Sequence, residues 1–201
     1  MHVIAITGGI ASGKSLVAKY LSDQYGAYIF DADKEAKDIL IKPEVSNKIL
    51  GSFPSLKSFT FKDISKVVFK SRSNQKKIND IIHPLVKKEI EERINEKRDK
   101  ENIFVIDAPL IIESGMFNDF KKHGLTLVLV IAEEKHRIKR ALSRNNLDQD
   151  SIMERIKLQM QDDEKIKYAD FIIENNSSKE SLFLKVDKFY QDNLEWKILI
   201  N

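Results

Sequence analysis

The stretch Gly8-Gly9-Ile10-Ala11-Ser12-Gly13-Lys14-Ser15 satisfies G-x-x-x-x-G-K-[ST], and it limits the fold more than any other feature of the chain. Before it, Val3 to Thr7 is a short, largely apolar run of strand character. After it, Leu16, Val17, Tyr20 and Leu21 recur at helical spacing, with Gly26 as a natural stop. A strand, a glycine turn and a helix in that order aim successive backbone N–H groups at phosphate oxygens, and the helix adds the positive end of its dipole. Lys14 would then reach the β- and γ-phosphates, and the Ser15 hydroxyl would ligate Mg²⁺. The competing reading is a plain glycine turn with a surface lysine.

Beyond the loop, short branched or aromatic runs alternate with helical spacing. Tyr28 to Phe30, Ile103 to Ile106, Leu125 to Ala132 and Phe171 to Ile173 are strand candidates. Most are apolar throughout, as expected of strands covered on both faces. Ser151-Ile152-Met153-Glu154 reads as a capping box before the stripe Ile152, Ile156, Met160, and Leu182, Val186, Phe189 and Tyr190 suit a closing helix. This alternation predicts an α/β fold with a parallel sheet. From about Asp33 to Asn102 the rhythm breaks. Ile78, Ile81, Ile82, Leu85 and Val86 suit a helix that Pro84 breaks or starts, so a helical insertion is expected near the sheet's carboxyl edge, where open α/β sheets bind ligands.

Composition narrows the partners. Thirty-four basic against 31 acidic residues give a net charge of +3, a mixed surface that suits a small phosphorylated substrate better than nucleic acid. With no cysteine, disulfides and Cys-ligated zinc are excluded. No run approaches the roughly 18 apolar residues that span a bilayer, so a cytoplasmic protein without a membrane partner is expected, as a monomer or weak homo-oligomer.

A guanine box Asn-Lys-x-Asp is missing, and Asp107, after the apolar run Ile103 to Ile106, is followed by Ala108 rather than a water-activating glutamate. Both point to transfer to a bound acceptor. Asp31-Ala32-Asp33 follows the second strand, and its carboxylates either serve as base for an attacking hydroxyl or cap the next helix. Asp107 either positions Mg²⁺ or substrate, or closes a turn before Pro109. Arg137, Arg140 and Arg144 lie within about 60° of one another on a helix, a face that either neutralises a transferring phosphoryl group or is merely solvated. His83-Pro84 and Gln159 have equally plain structural readings.

Taken together, Thr7 to Ser15, Asp31-Ala32-Asp33 with Ala36, His83-Pro84, Asp107-Ala108-Pro109-Leu110 with Glu113, the three arginines, Gln159, and Ala169-Asp170 with Asn175 resemble the dephospho-coenzyme A kinase family. The resemblance implies a P-loop fold of the nucleoside-monophosphate-kinase type with a five-stranded parallel sheet. Residues 1–32, 103–136 and 168–201 would form the nucleotide-binding core, 33–102 a helical acceptor-binding insertion and 137–167 a lid. It further implies phosphorylation of the ribose 3′-hydroxyl of 3′-dephospho-CoA by ATP. Asp33, Lys14 and Arg140 would be catalytic. Ala11, Ser12, Gly13, Lys14, Ser15, Leu16, Arg144 and Asn175 would hold ATP, with Asn175 near the adenine. Asp33, His83, Asp107 and Leu110 would meet the acceptor, and Ser15 and Asp107 would hold Mg²⁺. Ala11 and Leu16 depart from the glycine and threonine usual there. A nucleoside-monophosphate kinase and a slow nucleotide-binding regulatory module are the rival readings; the first lacks an Asp-Gly-x-Pro pattern at the third strand.

Overall fold

A computed structural model describes residues 1–56, 58–68, 70–144 and 148–195, apart from the side chains of residues 144 and 195. In chain order the elements are β1 (His2–Thr7), α1 (Lys14–Tyr25), β2 (Tyr28–Asp31), α2 (Ala32–Leu40), α3 (Pro43–Ser52), α4 (Phe61–Val68) and α5 (Arg72–Lys97). There follow β3 (Ile103–Asp107), α6 (Met116–Phe120), β4 (Thr126–Ile131), α7 (Glu134–Arg144), α8 (Gln149–Leu158), α9 (Asp162–Lys165), β5 (Phe171–Glu174) and α10 (Lys179–Tyr190). Two compact units emerge, one of residues 1–31 and 94–201 and one of residues 32–93. The segment 137–167 falls in the first.

That first unit is built on a five-stranded, wholly parallel sheet in the order β2-β3-β1-β4-β5. Side chains alternate along each strand, so Ile4, Ile6, Ile103, Val105, Val128 and Val130 share one face. They pack with Val17 and Leu21 of α1 and Leu182, Val186 and Phe189 of α10. The alternate set, Val3, Ala5, Phe104, Ile106, Leu127 and Leu129, is also buried, which is why these strands read as unbroken apolar runs. Gly26 ends α1 at φ +66, donating its N–H to Ser22 O. Helix α8 starts earlier than the capping-box expectation. Its cap is Asp148, whose side chain accepts from the Ser151 N–H, and the helix ends at Leu158, before Met160.

The regular elements of the second unit are all helices among its described residues, with Ile39, Val45, Ile49, Phe53, Ile64, Ile78, Ile82, Val86 and Ile90 buried. Pro84 neither breaks nor starts a helix, contrary to the expectation from sequence. It lies inside the 26-residue α5. A mid-helix proline costs about 3 kcal/mol through a lost hydrogen bond and a ring clash. The burial of Ile78, Ile81 and Ile82 before it and of Val86 and Ile90 after it offsets that cost.

Candidate active site

The loop from Gly8 to Gly13 turns tightly because its backbone can. Gly8 sits at φ +148, and a Cβ there would lie 2.1 Å from the Val130 carbonyl oxygen, so no side chain fits. Ala11 adopts φ +56, a left-handed conformation that costs a non-glycine residue about 1 kcal/mol. The N–H groups of Leu16 and Val17 bond Gly13 O, which starts α1 directly behind the loop. Lys14, the first residue of α1, is buried and folds its Nζ back onto Gly9 O at 3.2 Å. Ser15 is exposed one position on, while Leu16 packs against the core cluster.

The sheet brings two carboxylates to the same edge. Asp31 and Asp107 are register partners at the carboxyl ends of β2 and β3, and Asp107 is also the register partner of Ile6 in β1. Asp107 is only 6% exposed. Burial pushes its carboxyl above the usual carboxylate range, and the Ser15 hydroxyl bond and the Lys14 ammonium partly oppose that shift. Loop serine, loop lysine and strand-end aspartate therefore meet at one point. The donor set, a buried carboxylate and a hydroxyl, suits a hard cation that keeps phosphate and water oxygens as its other ligands. Among the described residues no cluster of three or more acidic or histidine side chains offers an all-protein metal cage.

Thr7 Oγ1 donates to Pro109 O at 3.0 Å, tying the end of β1 to the Asp107-Ala108-Pro109-Leu110 turn, where Leu110 is half-buried. In the helical unit, Asp33 is exposed in the first turn of α2, which begins at Ala32 immediately after β2. Asp33 is thus a helical residue that favours the α2 dipole rather than the cap itself. His83 is half-buried in α5, and burial lowers its pKa against the opposing pull of Asp80, which favours its neutral form.

The arginines do more than decorate a helix face. Arg137 is 8% exposed, and its Nε donates to Ile10 O at 3.1 Å while Nη1 lies 3.6 Å from Asp162. Arg140 Nη2 donates to Asn175 O at 2.9 Å and to its Oδ1 at 3.2 Å. Asn175 is buried and passes the contact on, its Nδ2 donating to Ser12 O at 2.7 Å. The Gln159 Oε1 accepts from Ile10 N–H at 2.9 Å. The loop is therefore held by α7, by the residue that caps the end of α8 and by the residue that follows β5. The Arg144 side chain lies outside the described residues.

Sequence reasoning missed Lys165. It is fully buried and pairs with Glu113 at 2.8 Å, and Glu113 also accepts from Met160 N–H. The run Asp162-Asp163-Glu164-Lys165 has the look of a solvated helix end, and nothing in its spacing marks the lysine as internal.

A family model described as dephospho-CoA kinase matches residues 2–181. The dephospho-CoA kinase of Fusobacterium nucleatum is 37% identical over 192 residues, covering 93% of this chain and 96% of that protein. That of Carboxydothermus hydrogenoformans is 35% identical over 190 residues, covering 90% and 89%. Among solved structures, the dephospho-CoA kinase from Campylobacter jejuni superposes with a TM-score of 0.66 at 25% identity, over 97% of this chain and 98% of that one.

Proposed function

The chain belongs to the dephospho-CoA kinase family, and on that premise we propose how its residues carry out the last step of coenzyme A synthesis. The protein is a phosphotransferase acting on a small molecule, with ATP as phosphoryl donor. The observation that carries the residue-level reading is the convergence of Lys14, Ser15 and Asp107 at the carboxyl edge of the sheet. It supports the triphosphate lying along Ala11 to Leu16, with Lys14 and the α1 N-terminus facing the β- and γ-phosphates.

Ser15 and Asp107 would hold magnesium, which when bound would supply positive charge to the triphosphate. Asp33 accepts the proton of the ribose 3′-hydroxyl as that oxygen bonds to the γ-phosphorus and the bond to the ADP bridging oxygen breaks. Arg140 and Arg144, on the proposed lid 137–167, neutralise charge on the transferring group. Positioning and preorganised charge carry most of the rate, since the chemistry asks for little covalent help. For the acceptor, the helical unit holds a groove of about 490 Å³. Ile39, Val45, Ile81 and Leu85 give it apolar patches, and three lysines, Lys42, Lys48 and Lys88, line it together with three acids, Glu44, Asp80 and Glu89. His83, next to the groove residue Pro84, is an acceptor contact in its neutral form.

The test is coupled ADP release with ATP and Mg²⁺, comparing 3′-dephospho-CoA with AMP, CMP, UMP and no acceptor. ADP should form only with dephospho-CoA, with CoA as product; turnover with a mononucleotide instead would overturn the acceptor assignment. Asp33→Asn should lower kcat by about 10²–10⁴ while ATP still binds, and an unchanged kcat rejects Asp33 as the base.

A further inference from the structure

Both backbone polar groups of Ile10 are held by side chains distant in sequence. Its N–H donates to Gln159 Oε1 at 2.9 Å, and its carbonyl accepts from Arg137 Nε at 3.1 Å. The next residue, Ala11, occupies the left-handed region at φ +56, which an alanine leaves readily when nothing holds it. Ile10 and Ala11 also pack against the small apolar cluster of Ala141, Ile152 and Ile156. The loop is thus gripped just before its strained residue.

Gln159 is well placed to grip. It caps α8 just beyond Leu158 in an extended conformation, φ −82 and ψ 153, so the backbone leaves the helix at this residue. Immediately after it, Met160 N–H is held by Glu113, itself anchored to the buried Lys165. The side chain therefore approaches Ile10 from a fixed base rather than from a free helix end.

From this geometry we propose that Gln159 is a positioning residue for nucleotide binding. It fixes Ile10 so that Ala11 keeps its turn, Ser12 N–H keeps its bond to Gly9 O, and the amides of Gly13 to Ser15 stay aimed at phosphate oxygens. The proposal rests on the loop being the ATP site. Gln159 touches neither phosphate nor acceptor in this account, so its loss acts on ATP and not on dephospho-CoA.

The test compares wild type with Gln159→Met, which keeps length and packing but removes the oxygen, and with Gln159→Glu, which keeps an acceptor oxygen at the same reach. Each full-length protein is read by KM for both substrates, by kcat, and by the ¹H–¹⁵N resonance and solvent exchange of the Ile10 amide. One neutral hydrogen bond corresponds to about a fivefold effect. Gln159→Met should raise the KM for ATP about fivefold, leave the KM for dephospho-CoA in place, and shift and deprotect the Ile10 amide. Gln159→Glu should recover most of that loss. In an Ala11→Gly background, where the left-handed turn needs no restraint, Gln159→Met should cost less than half as much in ATP KM. An unmoved Ile10 amide overturns the contact, and a moved amide with ATP KM unchanged overturns the positioning role. Failure of the wild-type chain to bind ATP would sink the nucleotide reading as well, and is recognised because it needs no substitution.

Discussion

Gly9→Ala tests whether Arg137 is built into the loop or merely rests beside it. Gly9 has no unusual φ, so backbone strain is not at stake. What matters is space. A Cβ on Gly9 would stand 2.3 Å from Arg137 Nη2, 2.5 Å from Cζ and 2.9 Å from Nη1. Ordinary contact begins near 3.4 Å, so the guanidinium must retreat by about 1 Å. Retreat strains its 3.1 Å bond to Ile10 O, a charge-assisted hydrogen bond worth about 1.5–3 kcal/mol. It also loosens the 3.6 Å pair with Asp162, worth about 1 kcal/mol or less at that partial exposure. The lower chain entropy of alanine in the unfolded state returns about 0.4–1 kcal/mol. The net loss is about 1–3 kcal/mol, or about 3–10 °C in Tm for a chain of this size. Thermal unfolding without nucleotide should be measured for Gly9→Ala, Arg137→Ala and the pair. In the Arg137→Ala background the added methyl meets no guanidinium, so Gly9→Ala there should be neutral or slightly stabilising. Additive losses, or a Gly9→Ala protein that melts with wild type, would refute the argument.

Two further substitutions separate function from stability. Burial holds the Asp107 carboxyl above its ordinary value, so as pH falls the folded protein takes up this proton before the unfolded chain does, and the group favours the folded state more as it is protonated. Asp107→Asn should therefore raise Tm at pH 7 in nucleotide-free protein, with the gap closing through the acid range, while turnover drops; a lower Tm at pH 7 contradicts the account. Lys165→Met leaves Glu113 facing an apolar side chain. Chemical denaturation should show a loss of about 2–4 kcal/mol, recovered in good part by adding Glu113→Gln. A double variant no better than the single one would mean that the lysine stem, not the ion pair, carries the stability.

What could be read in advance follows from which interactions are local. The loop, its strand and its helix were legible because glycine chemistry and apolar spacing act within a few residues, and β3 was legible because a strand buried on both faces leaves an unbroken apolar run. Pro84 misled because local sterics predict a break, while tertiary burial along α5 decides the outcome. The α8 boundary misled for a related reason. Two side chains, Asp148 and Ser151, compete to cap, and which amide is left open depends on where the chain arrives from. Arg137, Gln159 and Asn175 reach the loop across sequence separations of 127, 149 and 163 residues, which no period in the sequence can encode. Motif order marked them as members of a set, and only the fold says that they converge on Ile10 and Ser12. The same division explains why Ala11 is tolerated where glycine is usual. A loop relying only on its own backbone needs glycine at φ +56, whereas one clamped through its neighbour can carry a methyl group there. A second departure, Leu16, needs no such support, because its side chain turns into the core packed under α1. Departures from a motif are therefore best judged by what holds the backbone around them, and here that support comes from the far end of the chain.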